Sequence, residues 1–346
     1  MKRVGAGLFK NSLRLLFLLG CSLSLAACAS FSGLFQTTED PYDGEPLGFQ
    51  SKNFVVYRLQ GHETTESLAQ KFLKDRRKAW VIEDENEGAL FEAGNFIVIP
   101  LTEEHRGGLT AEGYQTVPIL CYHRLAERCE SALCINTSLF EAQMRYLKEN
   151  GYRVISMMEL EEFLSYRRKL PKKAVAINLD DGYRSAYDIA YPILKKHGFT
   201  AGLFIYTDFI GASSDALTWA QLKEMRADGF EVGSHSLSHC DLTKKMEGED
   251  ENQYMDRITK ELAQSKQVID KKLDQNTVYF AYPYGKYNHR ILSLSKEAGY
   301  TMAFSVRRGG NPFFSDPMAL RRDQIVTREM EGFINSLNTF FDLSLR

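Results

Sequence analysis

The stretch Ala174-Val-Ala-Ile-Asn-Leu-Asp-Asp-Gly182 decides the fold class of this chain. It is a candidate strand that ends in two carboxylates and a glycine, and the bland interpretation of such an ending is a turn. In a barrel of alternating strands and helices, however, the C-terminal ends of the strands carry the chemistry. The flanking sequence therefore has to be searched for further strands with reactive endings.

The flanking sequence has the rhythm of a βα fold. From residue 116 onward, a helical pattern ends four times in a glycine that is followed by Tyr or Phe and a β-rich run, at Gly151, Gly198, Gly229 and Gly299. Glycine takes the left-handed position after a helix, and the aromatic residue then begins a strand. This alternation predicts parallel strands in an irregular βα barrel of about seven repeats rather than an open sheet. Candidate strands begin near Val117, Val154, Ala174, Ala201, Glu231, Val278 and Thr301, and the helix starts carry N-caps at Ser156, Thr218 and Asn288.

Four of these strands end in titratable groups or in a turn with exposed backbone. The endings are His123, Asp180-Asp181-Gly182, Gly233-Ser-His235-Ser-Leu-Ser-His239 and Tyr282-Pro-Tyr284-Gly285. Strand ends of a parallel barrel meet at one mouth, so we expect these groups to lie together.

The same endings predict a metal site. His235 and His239 are four residues apart, and a helical turn would put both imidazoles on one face. Asp181 would complete a set of two histidines and one carboxylate with open positions for water and substrate. A bound cation removes the cost of burying Asp181, which leaves Asp180 free as a general base. Cys240 is an alternative ligand, but we favour a packed thiol.

These motifs, in this order, resemble the first three motifs of the polysaccharide deacetylase family, the NodB homology domain of carbohydrate esterase family 4. The likeness covers residues 116 to about 328 and implies an α/β fold, a distorted (β/α)7 barrel. The opening Val117-Pro-Ile-Leu-Cys-Tyr-His123, with Phe140…Tyr146 and Gly151-Tyr152, is nearer the poly-β-1,6-N-acetylglucosamine N-deacetylases of this family.

The resemblance implies a role for each matching residue. Asp180 is the general base, and Asp181, His235 and His239 bind a divalent metal. His123 is the general acid, supplied by the first strand in place of the late histidine of the family. Tyr284 donates a backbone N–H to the oxyanion. Trp219 lines the substrate groove, with a core aromatic as the alternative role. The metal is expected to be Zn²⁺, although Co²⁺, Ni²⁺ or Fe²⁺ fit the same ligands.

Three positions depart from the family pattern. The third motif often carries an Arg that orients the base, and this sequence has Ala281 there; Arg322 is our hypothesis for its replacement. Cys240 stands where a Pro usually follows the second histidine. No histidine follows His289, so the role of general acid depends on His123.

The N-terminus predicts export with a lipid anchor. Four basic residues precede an apolar run that ends at Leu25-Ala-Ala-Cys28, the layout of a signal peptide (residues 1–27) with a bacterial lipobox. Cys28 would then be the lipidated first residue of an outer-membrane lipoprotein that faces the periplasm; an uncleaved anchor helix is the alternative. Residues 28–52 predict a flexible tether. In that oxidising compartment Cys129 and Cys134 could pair, whereas Cys121 is expected to be buried and inert.

Residues 53–101 form a second predicted domain. A strand from Asn53 to Leu59, a helix from Thr65 to Lys74 and a strand from Phe96 to Pro100 resemble the small βααβ LysM module, which binds N-acetylglucosamine polymers. An adaptor without glycan affinity is the alternative. Residues 102–115 then predict a linker to the catalytic domain, residues 116–346.

Composition excludes other classes. The chain has 346 residues, 44% of them hydrophobic, with 43 basic against 45 acidic side chains. These values exclude disordered, collagen-like and polytopic membrane proteins, and a chain without basic excess is a poor partner for nucleic acid. The resemblance to the polysaccharide deacetylase family implies a hydrolase that removes N-acetyl groups from N-acetylglucosamine-containing polysaccharide, either exopolysaccharide or peptidoglycan. A catalytically silent glycan-binding lipoprotein and an O-acetyl esterase are the alternatives.

Overall fold

The computed structural model describes residues 50–102, 107–110, 112–326 and 328–343, together with the short strands β1 (Thr38–Glu39), β2 (Pro46–Leu47) and β3 (Phe49–Gln50). The chain divides into two compact units, Met1–Thr102 and Glu103–Arg346. The predicted signal peptide, Cys28 and most of the predicted tether lie outside the described residues. Among the described residues, no helix is both long enough and apolar enough for a membrane crossing.

The first unit is a small three-stranded antiparallel sheet packed against two helices. β4 (Phe54–Arg58) pairs along its length with β5 (Phe96–Pro100), and β3 adds to the other edge of β4. Between β4 and β5 lie α1 (Thr65–Leu68), which runs on into a π-helical turn, and α2 (Ala79–Glu85). The predicted βααβ architecture is confirmed, whereas the likeness to a LysM module stays a prediction.

The second unit is built around a parallel sheet. The described strands of this unit are β6 (Gly113–Gln115), β7 (Ile119–Tyr122), β8 (Arg124–Ala126), β9 (Cys134–Asn136), β10 (Arg153–Val154), β11 (Ala174–Asp181), β12 (Gly202–Ile205), β13 (Glu231–Ser234), β14 (Tyr279–Ala281), β15 (Met302–Phe304), β16 (Asp323–Gln324) and β17 (Phe340–Asp342). The order of the strands in the parallel sheet is β15-β14-β13-β12-β11-β7-β16. Short pairs flank this sheet: β17 with β6, β8 with β9, and β10 with the beginning of β11.

Hydrogen bonds close this sheet into a barrel. The Ser305 N–H donates to the Leu320 carbonyl (2.8 Å), and the Arg322 N–H donates to the Arg307 carbonyl (2.9 Å). The segment that leads into β16 is thereby joined to the chain that continues β15. The α/β fold class predicted from the sequence is confirmed. The strand assignment is corrected at one place, because the seventh strand of the ring is β16 and not the two-residue β10, which only extends the foot of β11.

Helices cover the barrel, and their ends follow the local sequence. Ser156 and Thr218 each form a capping box, and the Asn288 side chain accepts the Ile291 N–H, as the three predicted N-caps require. The four glycines predicted to follow helices all have a positive φ, from 73° to 91°; they are Gly151, Gly198, Gly229 and Gly299. The helices are α3 (Thr137–Glu149), α4 (Met157–Leu164), α5 (Tyr191–His197), α6 (Trp219–Ala227), α7 (Glu251–Leu273), α8 (His289–Glu297) and α9 (Met330–Ile334).

Candidate active site

The carboxyl ends of the strands meet around a cavity of about 90 Å³. That volume has room for about three water molecules. Four of the strand endings singled out in the sequence line it, after β7, β11, β13 and β14. The lining residues include His123, Asp180, Asp181, His235, His239 and Tyr284. A larger open groove of about 870 Å³ elsewhere on this unit contains none of these six residues.

Asp181, His235 and His239 form a cluster suited to a metal ion. The Asp181 Oδ1 atom lies 3.5 Å from His235 Nε2 and 3.4 Å from His239 Nε2. Two ligand atoms of a tetrahedral zinc ion, each about 2.0–2.1 Å from the metal, are about 3.4 Å apart. The same Oδ1 atom is buried and has no hydrogen-bond partner among the residues that the structure describes, which is costly for a carboxylate unless a cation binds it. The three residues therefore fit a divalent cation.

The protonation states of the cluster also fit a cation. Burial lowers the pKa of His235 to about 3, so its imidazole is neutral at pH 7. His235 Nδ1–H donates to the Ala281 carbonyl (2.7 Å), which leaves the Nε2 lone pair for a metal. Burial and then the adjacent Asp180 raise the pKa of Asp181 to about 7. A cation would reverse this shift by favouring the ionised carboxylate.

The segment between His235 and His239 is not helical. This differs from the helical turn that their spacing of four residues suggested. Ser236 (φ 73°) and His239 (φ 63°) adopt the left-handed conformation and fold the chain back on itself. Asp181 (φ 74°) and Tyr284 (φ 57°) share this conformation at neighbouring strand ends. Non-glycine residues with positive φ are strained and cluster at functional sites.

Asp180 has a different environment from its neighbour. Arg322, which is fully buried, donates Nη1–H to Asp180 Oδ1 (2.8 Å) and Nη2–H to Oδ2 (2.7 Å). Burial alone would raise the pKa of Asp180, but Arg322 holds it well below its usual range. Arg322 thus makes the contact that our hypothesis for the missing motif-three arginine requires. Of the two adjacent carboxylates, Asp180 is thereby paired with a cationic side chain, and Asp181 remains available as a ligand for a cation.

His123 and Cys121 lie on the other side of Asp180. The Cys121 thiol donates to Asp180 Oδ2 (3.4 Å), and one ligand atom each of Cys121, His123 and Asp180 lie within 4.8 Å of one another. Burial raises the pKa of Cys121 well above its usual value, and Asp180 is already paired with Arg322. This second cluster is therefore a poor metal site. Burial lowers the pKa of His123, so its imidazole is neutral at pH 7.

Two residues predicted to contact substrate differ in placement. Tyr284 is 55% exposed, lines the cavity and packs edge-on against His239, with ring centroids 4.7 Å apart. Trp219 is absent from the lining of this cavity. It is half-buried, packs against the hydrophobic core and has Lys272 Nζ 6.0 Å from its ring centroid. This packing fits the alternative role of Trp219 as a core aromatic, and its place in the substrate groove stays a prediction.

A disulfide loop that the sequence analysis did not connect to the site also reaches the cavity. Cys129 and Cys134 are paired, with Cα atoms 5.3 Å apart, and Leu133 beside them lines the cavity at 41% exposure. No motif marks Leu133, so the sequence gives no signal for it. Cys240 is half-buried and accepts a hydrogen bond from Arg257 Nη1 (3.3 Å), outside the metal cluster, as a packed thiol would be.

The fold and this site define a class: an α/β barrel hydrolase with two histidines and one carboxylate poised for a divalent cation beside a second, ionised carboxylate. Comparison with known proteins makes the class specific. The sequence profile of the family "Polysaccharide deacetylase" matches residues 167–303.

Individual relatives agree with the profile. The Bacillus subtilis (strain 168) protein YxkH, which is assigned to the polysaccharide deacetylases, is 33% identical over 208 residues, covering 60% of this chain and 67% of YxkH. The poly-beta-1,6-N-acetyl-D-glucosamine N-deacetylase of Staphylococcus aureus (strain MSSA476) is 34% identical over 184 residues, covering 50% of this chain and 61% of that protein. The deacetylase PplD of Streptococcus pyogenes, solved with acetate, is 30% identical with a TM-score of 0.59, covering 64% of this chain and 98% of PplD.

The chain belongs to the polysaccharide deacetylase family. This confirms the family resemblance, the fold and the enzyme class predicted from the sequence.

Proposed function

We propose that this protein is a metal-dependent N-deacetylase of N-acetylglucosamine-containing polysaccharide. The observation that carries the proposal is the different environment of two adjacent carboxylates: Asp180 is hydrogen-bonded to Arg322, whereas Asp181 Oδ1 lies 3.5 and 3.4 Å from Nε2 of His235 and His239. The first can act as a general base, and the second can be a metal ligand beside the two imidazoles. Cleavage of the amide consumes one water and yields acetate and a free amine on the sugar.

Asp181, His235 and His239 would hold the ion. Imidazole and carboxylate ligands suit Zn²⁺, and Co²⁺, Ni²⁺ or Fe²⁺ bind the same set. When bound, a divalent ion polarises the amide carbonyl and lowers the pKa of water toward ~7.

The protein's own groups supply the proton transfers. Asp180, ionised because Arg322 lowers its pKa, accepts a proton from the attacking water. The backbone N–H of Tyr284 stabilises the tetrahedral oxyanion, a contribution typically worth ~3–4 kcal/mol for one good donor. His123 protonates the leaving nitrogen, which would otherwise depart as an anion. Because burial keeps His123 neutral in the free enzyme, it has to acquire this proton during turnover, and the proton that Asp180 takes from water balances this transfer.

Sequence likeness supports the substrate class. The Staphylococcus aureus relative is named for poly-β-1,6-N-acetylglucosamine, and the detailed resemblance around His123 points to the same branch. The cavity of about 90 Å³ suits an acetyl group with a water molecule rather than a whole sugar ring. The polysaccharide would then lie across the mouth of the cavity, with one N-acetyl group inside.

Export and lipidation at Cys28 complete the proposal. The Cys129–Cys134 disulfide supports an oxidising compartment, since disulfides are rare in the cytosol. An outer-membrane lipoprotein that faces the periplasm meets this condition.

The test uses purified protein that begins after Cys28. Metal content is measured first, and amine release is then followed from β-1,6-linked and β-1,4-linked N-acetylglucosamine oligomers, with and without a chelator. Chelator-sensitive release from the β-1,6-linked oligomer supports the proposal in full, and release from the β-1,4-linked one alone moves the substrate to peptidoglycan-like glycans. Bound metal with acetate release only from O-acetylated glycan would make the protein an esterase. Absence of both metal and release would refute the proposal.

A further inference from the structure

A buried carboxylate from α7 lies against the turn that joins the two histidines of the proposed metal site. Glu261 is only 5% exposed. Its Oε2 atom accepts the backbone N–H groups of Leu237 (2.9 Å) and Ser238 (3.0 Å), and its Oε1 atom accepts the Ser238 hydroxyl (2.6 Å). Three hydrogen bonds to one ionised acceptor are strong, and together they bind the middle of the turn between His235 and His239.

The same helix supports the turn at a second point. Ser265, one turn after Glu261, accepts the Ser234 hydroxyl (2.8 Å). Ser234 in turn accepts the Ser236 N–H (3.2 Å), and the Ser236 hydroxyl accepts the His239 N–H (3.0 Å). Hydrogen bonds from α7 therefore hold this segment from one side. The chain that follows β12 also contributes, since the N–H groups of Thr207 and Asp208 donate to the carbonyls of Ser236 (3.3 Å) and Leu237 (3.0 Å).

The two histidines differ in how their rings are held. The His235 ring has its own anchor, the hydrogen bond from Nδ1–H to Ala281. In the part of the chain that the structure describes, the His239 ring has no hydrogen bond of its own. Its centroid lies 5.2 Å from the ring centroid of Tyr206 and 4.7 Å from that of Tyr284. The direction of His239 Nε2 consequently depends on its backbone, which has the strained φ of 63°, and on packing against these rings and the ring of His235.

We propose that Glu261 is a positioning residue for metal binding, which holds the turn so that His239 keeps its left-handed backbone and directs Nε2 toward Asp181 Oδ1. The inference rests on the proposed metal site. Replacing a group that orients a metal ligand without contacting the metal typically lowers the affinity for the metal 10–100-fold. The carboxylate acts through the backbone amides of Leu237 and Ser238, at a distance from the ligand atoms.

The chain contains a matched control. Glu231, at the other end of β13, also has a carboxylate that accepts two backbone N–H groups, those of Met157 (2.6 Å) and Met158 (3.0 Å) at the start of α4. Glu231→Gln and Glu261→Gln each neutralise a carboxylate that accepts two backbone N–H groups, and both should lower the melting temperature. Only Glu261→Gln touches the turn between the histidines.

The experiment is a chelator competition with Zn²⁺ on the full chain after Cys28. We expect the Kd for Zn²⁺ to rise roughly 10–100-fold in Glu261→Gln and to change less than about twofold in Glu231→Gln. In a His239→Ala background, Glu261→Gln should cause no further loss, because its effect acts through His239. Glu261→Ala removes the whole carboxylate group and is the harsher variant. If Glu261→Ala does not fold, Glu261→Gln still tests the role, because it keeps the shape of the side chain.

The outcomes distinguish failure of the positioning role from failure of the proposed metal site. Tight Zn²⁺ binding by the wild type with an unchanged Kd in Glu261→Gln overturns the positioning role and leaves the metal site standing. Equal losses in the two glutamine variants, or a further loss in the His239→Ala background, mean that Glu261 acts only through general stability. Lack of Zn²⁺ binding by the wild type overturns the metal site and the positioning role together.

Discussion

The Arg322–Asp180 ion pair gives the sharpest test of the site, through the substitution Arg322→Met. Both side chains are almost completely buried, and two charge-assisted hydrogen bonds of 2.8 and 2.7 Å join them. The Arg322 guanidinium carbon lies 5.6 and 5.8 Å from the ring centroids of Phe204 and Phe304, so the unbranched apolar side chain of methionine suits this position. The substitution leaves the Asp180 carboxylate buried without its cationic partner, with the Cys121 thiol as a remaining donor.

The expected magnitude follows from that burial. Breaking a buried pair by removing one partner costs about 3–5 kcal/mol, a large part of the roughly 5–15 kcal/mol that stabilises a typical native protein. Without the charge of Arg322, burial raises the pKa of Asp180 and favours the protonated carboxyl, which cannot act as a base. Loss of the base should lower kcat by about 10²–10⁴-fold. The double variant Asp180→Asn/Arg322→Met removes both charges and should recover most of the stability but none of the activity.

The assay is urea unfolding followed by tryptophan fluorescence. The chain has two tryptophans, Trp80 in the first unit and Trp219 in the second, so a Trp80→Phe background reports the second unit alone. The coupling energy between the two substitutions is read from the double-mutant cycle. If Arg322→Met unfolds within about 1 kcal/mol of the wild type and keeps its kcat, the ion pair does not hold Asp180 ionised and the assignment of the base fails.

Three further predictions concern the proposed metal and proton-transfer groups. Asp180→Asn should retain metal and lose about 10²–10⁴-fold in kcat, measured by metal analysis beside amine release; full activity would exclude Asp180 as the base. The metal-free protein has the pKa of Asp181 raised to about 7, so a proton competes with the cation below that pH. Chelator competition should thus show Zn²⁺ affinity falling about tenfold per pH unit below 7 from this group alone; a flat profile from pH 5 to 8 would contradict the raised pKa. His123→Gln should slow amide hydrolysis by about 10²–10⁴-fold but slow an aryl acetate ester far less, because a phenolate leaves without protonation; equal losses on both substrates would argue against an acid role.

The reactive groups of the site could be predicted because each motif is local. Asp180 and Asp181 are adjacent, His235 and His239 are four residues apart, and all four follow strands that the rhythm of glycines and apolar runs identifies. The carboxyl ends of parallel strands meet at one mouth, so convergence followed from the fold class. The same local signals predicted the helix caps and the left-handed glycines, because both depend on a few neighbouring residues.

The closure of the barrel could not be predicted in the same way. The seventh strand, β16, has two residues, Asp323 and Gln324, and follows Arg321-Arg322, a polar run without the periodicity of a strand. It becomes a strand because β7 pairs with it and the continuation of β15 hydrogen-bonds to the segment before it. β10 has the better local strand pattern, but it pairs only with Ala174 and Val175 at the beginning of β11.

The supporting contacts of the site depend on tertiary structure for a related reason. Arg322 reaches Asp180 across 142 positions of sequence, and Glu261 reaches the histidine turn from a separate helix. The family pattern suggested Arg322 as a hypothesis, but a charged residue in a stretch without a motif is ordinarily expected to face solvent. Burial beside an opposite charge, or beside a set of backbone N–H groups, makes such a residue part of a site. The sequence by itself determined the fold class and the reactive groups, because local spacing and strand periodicity encode them. The closing strand, the partner of the base and the support behind His239 were decided by the tertiary structure, because they depend on which distant surfaces pack together.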